Sequence, residues 1–127
     1  MRTILVIDDD LVFLHETERL FGGAGYRVLH AADGIRAVRL MEEMRDQIDL
    51  AIIDLAVPGL NGFEIIGSLS RRPNSVKIIA TSGVYKDIQL ESTRALGAHA
   101  VIRKPERVKP LPRSPWLGTV QQLIGEP

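Results

Sequence analysis

The chain has 127 residues, which at about 150 residues per domain is enough for one core and too few for two. Its 16 basic and 16 acidic side chains cancel, which argues against a polyanion binder, and its 45% hydrophobic content argues against disorder. With no cysteine it has no disulfide framework, thiolate zinc site or cysteine nucleophile, as suits a reducing cytoplasm, and its apolar runs fall short of the ~18 residues of a membrane span.

In chain order, Ile4–Ile7, Leu50–Ile53, Val76–Ala80 and Ala100–Ile102 are apolar runs too short for helices and rich in β-branched residues. They read as strands buried on both faces. Tyr26–Ala31 mixes polar and apolar residues and reads as a less buried edge strand. Between the strands, helical spacing links Phe13, Thr17, Leu20 and Ala24, then Val38, Met41, Arg45 and Ile48, then Phe63, Ile66 and Leu69, then Ile88, Ser92, Ala95 and Leu96. Met41 and Met44 belong to the core of the second helix, and His15, His30 and His99 form no ligand cluster. Asp10 and Asp33 are placed to cap helix starts, the Gly22–Gly25 cluster and Gly97 to end helices, and Ser114 to cap a helix with Pro115 in its first turn. A short last helix, Trp116 to Ile124, should dock through Leu117, Val120, Leu123 and Ile124.

Strand and helix thus alternate five times, which predicts an α/β, doubly wound, five-stranded parallel sheet with helices on both faces. Ligands of such sheets bind at the carboxyl ends of the strands. There the sequence places Asp8, Asp9 and Asp10 after strand one, Asp54 after strand three, Ser82 after strand four and Lys104-Pro105 after strand five. Converging carboxylates call for a hard divalent cation, and Mg2+ suits few carboxylates, retained waters and a phosphate oxygen. A carboxylate beside such a cation can attack phosphorus, while a hydroxyl and an ammonium hold the transferred oxygens.

Four motifs in order resemble the receiver domains of two-component response regulators, over the chain up to Pro105. They are the acidic pair Asp8-Asp9, the Asp-x-x-x-Pro-Gly-x-x-Gly segment Asp54 to Gly62, Ser82-Gly83, and the Gly-Ala-x-x-x-x-x-Lys-Pro segment Gly97 to Pro105. The resemblance implies a flavodoxin-like strand order 2-1-3-4-5. It also implies Asp54 as phosphoacceptor, Asp9 as a direct Mg2+ ligand, Asp8 as a ligand acting mainly through water, and the Ala56 carbonyl completing the metal site. Ser82 would bind one phosphoryl oxygen and Lys104 another, with a cis peptide between Lys104 and Pro105. Asp10 is expected as a helix cap rather than a ligand. Val101 and Glu106 stand where the family usually carries aromatics, and a basic, proline-bearing loop, 105–114, precedes the last helix.

The implied function is a phosphorylation-dependent switch in the cytoplasm, not a turnover enzyme. It would be loaded by a histidine kinase or phosphotransfer protein and would signal to a protein partner through the face of helix four, strand five and the last helix, without nucleic acid or membrane. Arg103, Arg107, Lys109 and Arg113 would be free for that contact. The chain, 1–127, is expected to be a single, stand-alone receiver unless it is cut from a longer protein. Two alternatives remain: a haloacid-dehalogenase-like Mg2+ phosphatase using Asp8 and Asp10, and a degenerate receiver kept as a binding scaffold.

Overall fold

In the computed structural model, which describes residues 1–73 and 76–127, strands and helices alternate. The order is β1 (Thr3–Ile7), α1 (Leu11–Thr17), β2 (Arg27–Ala31), α2 (Gly34–Glu43), β3 (Leu50–Asp54), α3 (Gly62–Ser70), β4 (Lys77–Ser82), α4 (Asp87–Ser92), β5 (Ala100–Arg103) and α5 (Trp116–Ile124). The strands pair in parallel in the order β2-β1-β3-β4-β5, the flavodoxin-like order expected. Because side chains alternate along a strand, Ile4, Val6, Leu50, Ile52 and Ile79 pack with Phe13, Phe21, Trp116 and Val120 of the α1 and α5 layer. Leu5, Ile7, Ile53, Ile78 and Ala80 pack with Met41, Ile66, Leu69 and Leu90 of the α2, α3 and α4 layer.

Several local expectations need correction. β5 is not buried on both faces: it is an edge strand, and of its four residues only Ile102 is buried. Three apolar residues in a row look alike at the centre and at the edge of a sheet. After Thr17, α1 widens into a π turn over Glu18–Gly22, and this extra residue per turn brings Phe21 into the core where regular spacing pointed to Ala24. In α2 the buried face is Gly34, Ala37 and Met41, Val38 is exposed, and Arg45 lies beyond the helix. Small residues let this helix approach closely: a Cβ at Gly34 would stand 2.3 Å from the Gly59 carbonyl oxygen. In α4 the expected stripe faces solvent, with Ile88 exposed, while Leu90 and Thr93 are buried. The helix tightens to a 3-10 turn at Thr93–Leu96, where a three-residue period selects that pair.

Helix ends follow the polar chemistry more closely. Asp10 accepts hydrogen bonds from the Val12 and Phe13 amides at 3.0 and 3.3 Å, and Asp33 accepts one from the Arg36 amide. Gly97 ends the α4 segment at φ +124°, a left-handed geometry that favours glycine. Ser114 does not cap α5: the cap position is Pro115, and the Arg113 carbonyl takes the Leu117 amide instead. Trp116, 1% exposed, stands edge-on to Phe13 with ring centroids 5.4 Å apart. Trp116→Ala should therefore cost about 3–5 kcal/mol in urea unfolding, and a loss below about 1 kcal/mol would show that α5 is not anchored there.

Candidate functional site

Strand register assembles the site. Ile7 lies opposite Ile53, so the next residues, Asp8 and Asp54, are neighbours at the carboxyl end of the sheet. Asp54 lies opposite Thr81 and Ser82 opposite Arg103, which brings Ser82 and Lys104 to the same edge. One oxygen each from Asp8, Asp9 and Asp54 falls within 4.8 Å of the others.

Lys104 ties two of these carboxylates, Asp8 and Asp54, together. Its Nζ donates to Asp8 Oδ1 at 3.1 Å and to Asp54 Oδ2 at 3.3 Å, and it stands 4.8 Å above the centre of the Phe13 ring. The second Asp8 oxygen, Oδ2, is 2.8 Å from the ammonium, yet it receives no aligned hydrogen bond among the described residues. The remaining Asp54 oxygen accepts the Ala56 amide at 2.9 Å. Burial pushes the Asp8 carboxyl up from 3.8 to about 6, against the pull of Lys104. Burial pulls Lys104 down, but the hydrogen bonds and charges of Asp8 and Asp54 outweigh it and raise the ammonium above its ordinary value. An oxygen-only cluster, in which one buried carboxylate oxygen accepts no aligned hydrogen bond among the described residues, is consistent with a hard divalent cation.

Ser82 is fully buried, and its Oγ accepts the Val84 and Tyr85 amides at 3.1 and 3.0 Å. Its hydroxyl thus caps the turn after β4 and keeps its own proton to donate. A cleft of about 590 Å³ opens at Asp54, lined by the polar residues Asp9, Asp10, Arg103, Lys104 and Glu106 and by the apolar Ala56, Val84 and Val108. A second cleft, of about 360 Å³, lies at the opposite end of the strands, where Arg2 pairs with Asp49.

Two expectations fail here. The Lys104–Pro105 peptide is trans, and the cis bonds fall at Lys109–Pro110 and Ser114–Pro115. The isomers of an X–Pro bond differ by only about 0.5–1 kcal/mol, so the path of the enlarged loop decides. Arg103 is not free either: it pairs with Asp87 at 2.5 Å and donates to the Tyr85 carbonyl. Nothing local in the sequence signals this tie, because Asp87 belongs to α4.

The chain matches the sequence profile of the response regulator receiver domain over residues 4–113. It belongs to the receiver domain family. This receiver is 32% identical over 125 residues to the two-component response regulator ORR22 of Oryza sativa subsp. indica, covering 96% of this chain and 17% of that protein. It thus spans about a sixth of that plant regulator's length. It is 26% identical over 102 residues to the sporulation initiation phosphotransferase F of Bacillus subtilis strain 168, covering 80% of this chain and 81% of that one. Its fold matches, at a TM-score of 0.83 and 24% identity, the signal receiver domain of the DNA binding response regulator protein (merR) from Colwellia psychrerythraea 34H, over 99% and 100% of the two chains. The phosphatase alternative finds no support in these likenesses. No helix among the described residues is long and apolar enough to cross a membrane.

Because the folded Asp8 carboxyl is raised, the group favours folding below its ordinary value and loses that contribution as pH rises through about 6. Lowering the pH from 7 to 5 should therefore relieve the metal-free receiver of a cost on the order of 1–3 kcal/mol that Asp8→Asn does not carry. Thermal melts at both pH values check this; equal pH responses in the two proteins would refute it. Protons and a divalent cation compete for the same oxygens, so cation affinity should fall over the same window.

Proposed function

We propose that residues 1–127 act as one phosphorylation switch in the cytoplasm, in which Asp54 accepts a phosphoryl group from a histidine kinase or phosphotransfer protein. The observation that most supports this is the Lys104 ammonium shared between Asp8 and Asp54 at the foot of an open cleft. An Asp54 oxygen bonds to phosphorus as the bond from the donor's histidine nitrogen breaks, and the leaving imidazole takes up a proton. Asp9, Asp54 and the Ala56 carbonyl would hold Mg2+, with Asp8 contributing chiefly through water. When bound, that cation screens the charge gathered between phosphoryl and carboxylate oxygens.

Lys104 already sits between two carboxylates and can turn its ammonium to a phosphoryl oxygen. Ser82 can donate its hydroxyl proton to another, at the expense of the turn amides it now accepts. That exchange would loosen the turn after β4, which is tied to β5 through Arg103, and would carry the signal to the α4, β5 and α5 face. Val84 and Ile88 are strongly exposed there, as a docking surface for a protein partner requires. Chemistry of this kind makes the domain a switch that assists its own loading and unloading, rather than a turnover enzyme.

Incubation with phosphoramidate and Mg2+ should add one phosphoryl group by intact mass, and Asp54→Asn should remain unmodified; modification that persists in Asp54→Asn sinks the assignment. Asp9→Asn should weaken Mg2+ binding by roughly tenfold or more in a titration, since a hard cation loses a charged oxygen. Ala56 and Val84, on the cleft walls, have no side-chain group to orient water. Ala56→Asn should accordingly shorten the phosphoryl half-life, and an unchanged decay would place control of the water elsewhere.

A further inference from the structure

The segment between β5 and α5 carries two cis prolyl bonds and is largely exposed, yet it is held at one point from behind. Leu111 is 1% exposed and lies in the core cluster of Phe13 and Trp116. Its amide donates at 2.8 Å to Oε1 of Glu16, a carboxylate on α1 that is itself 2% exposed. The same Oε1 accepts Arg19 Nε at 3.1 Å, and Arg19 Nη2 returns to the Leu111 carbonyl at 2.9 Å. Both backbone groups of one loop residue are thus gripped by one ion pair, and the Leu111 amide holds the Glu16 carboxyl below its ordinary value.

Three residues before this clamp, Val108 packs partly against the Phe13 and Trp116 cluster and also lines the cleft over Asp54. With Ala56 and Val84 it is an apolar part of a cleft lining that also includes Arg103 and Glu106. We propose that Glu16 is a positioning residue for the phosphoryl group's lifetime: by clamping Leu111 it holds Val108 in place as a wall that keeps water from the loaded acceptor. The proposal rests on Asp54 being the acceptor. In hydrolysis a water oxygen bonds to phosphorus, the bond from phosphorus to the Asp54 oxygen breaks, and the carboxylate leaves as an anion. The water's two hydrogens end on inorganic phosphate as dihydrogen phosphate. Every such event needs an ordered water in the cleft, so an apolar side chain at Val108's place in the lining slows it by offering that water no partner there. Removing the Glu16 carboxylate leaves the Leu111 amide buried without a partner, a state relieved by moving the loop or admitting water.

The test uses the whole chain loaded with phosphoramidate in Mg2+, freed of donor by desalting, and followed by intact mass. Glu16→Ala and Val108→Ser should each shorten the phosphoryl half-life roughly threefold to tenfold, one by freeing the wall and the other by opening it. Glu16→Gln keeps an oxygen of the same reach for the Leu111 amide, and its half-life should stay within about twofold of the parent. Leu69→Ala, which opens the core on the other face of the sheet, should lower the melting temperature and leave the half-life unchanged. Decay at the parent rate in Val108→Ser overturns the proposal even if Glu16→Ala does not fold. Decay in Glu16→Gln as fast as in Glu16→Ala, or in Leu69→Ala as fast as in Val108→Ser, overturns it too. Failure of the parent to load, or loading of Asp54→Asn, instead overturns the acceptor assignment on which the proposal rests.

Discussion

The rest of the structure is arranged around one ammonium between buried carboxylates. Asp8 and Asp54 stand at the ends of central strands, where burial is nearly complete, and two unscreened charges there would oppose folding. Lys104 offsets them from the last strand, nearly a hundred residues along the chain. This contact depends on parallel register across β1, β3, β4 and β5, and a shift of one residue in any pair would turn a carboxylate or the ammonium to the other face. The compensation is incomplete: Asp8 is still raised towards 6, and one of its oxygens, although 2.8 Å from the ammonium, accepts no aligned hydrogen bond among the described residues. A site left short of positive charge in this way fits a hard cation, whose charge would offset the same burial that raises Asp8.

The second dependence runs through Phe13. Its ring lies beneath the Lys104 ammonium and edge-on to Trp116, so the same side chain supports the site from below and anchors α5 from the side. Asp10 fixes the first turn that carries it by accepting the Val12 and Phe13 amides. The third aspartate of the acidic run therefore serves the site without occupying its centre: it orients the helix whose aromatic residue carries the ammonium.

How much of this was legible in the sequence follows from the range of each interaction. β-branched runs bounded by polar residues disclosed the strands, and because functional groups of such sheets gather at strand ends, Asp8, Asp9, Asp54, Ser82 and Lys104 could be named before their geometry was known. Helix faces were harder to read. A stripe of large apolar residues is a poor guide where small residues make the contact, as Gly34 and Ala37 do, or where the helical period changes, as at Glu18–Gly22 and Thr93–Leu96. Arg103 read as a free base and is held by Asp87, and Glu16, which no sequence motif singles out, is the most buried glutamate of the chain. Both depend on partners brought close only by the completed fold, and neither carries a local motif.

The loop from Glu106 to Ser114 shows why those long-range ties matter. By composition it is a charged, proline-bearing connection, the kind of segment that tolerates change and carries little information. Leu111 alters that reading, because one buried leucine with both backbone groups engaged ties an exposed segment that also lines the cleft at Asp54 to α1 and the turn after it. The bases around it, Arg107, Lys109 and Arg113, are exposed, while the Leu111 backbone between them is held by Glu16 and Arg19. A docking surface made of mobile charged side chains on a fixed backbone loses less entropy on binding than a mobile loop. The same clamp on Leu111 therefore ties the segment that carries those three charges to α1, on the side of the cleft where Val108 lies.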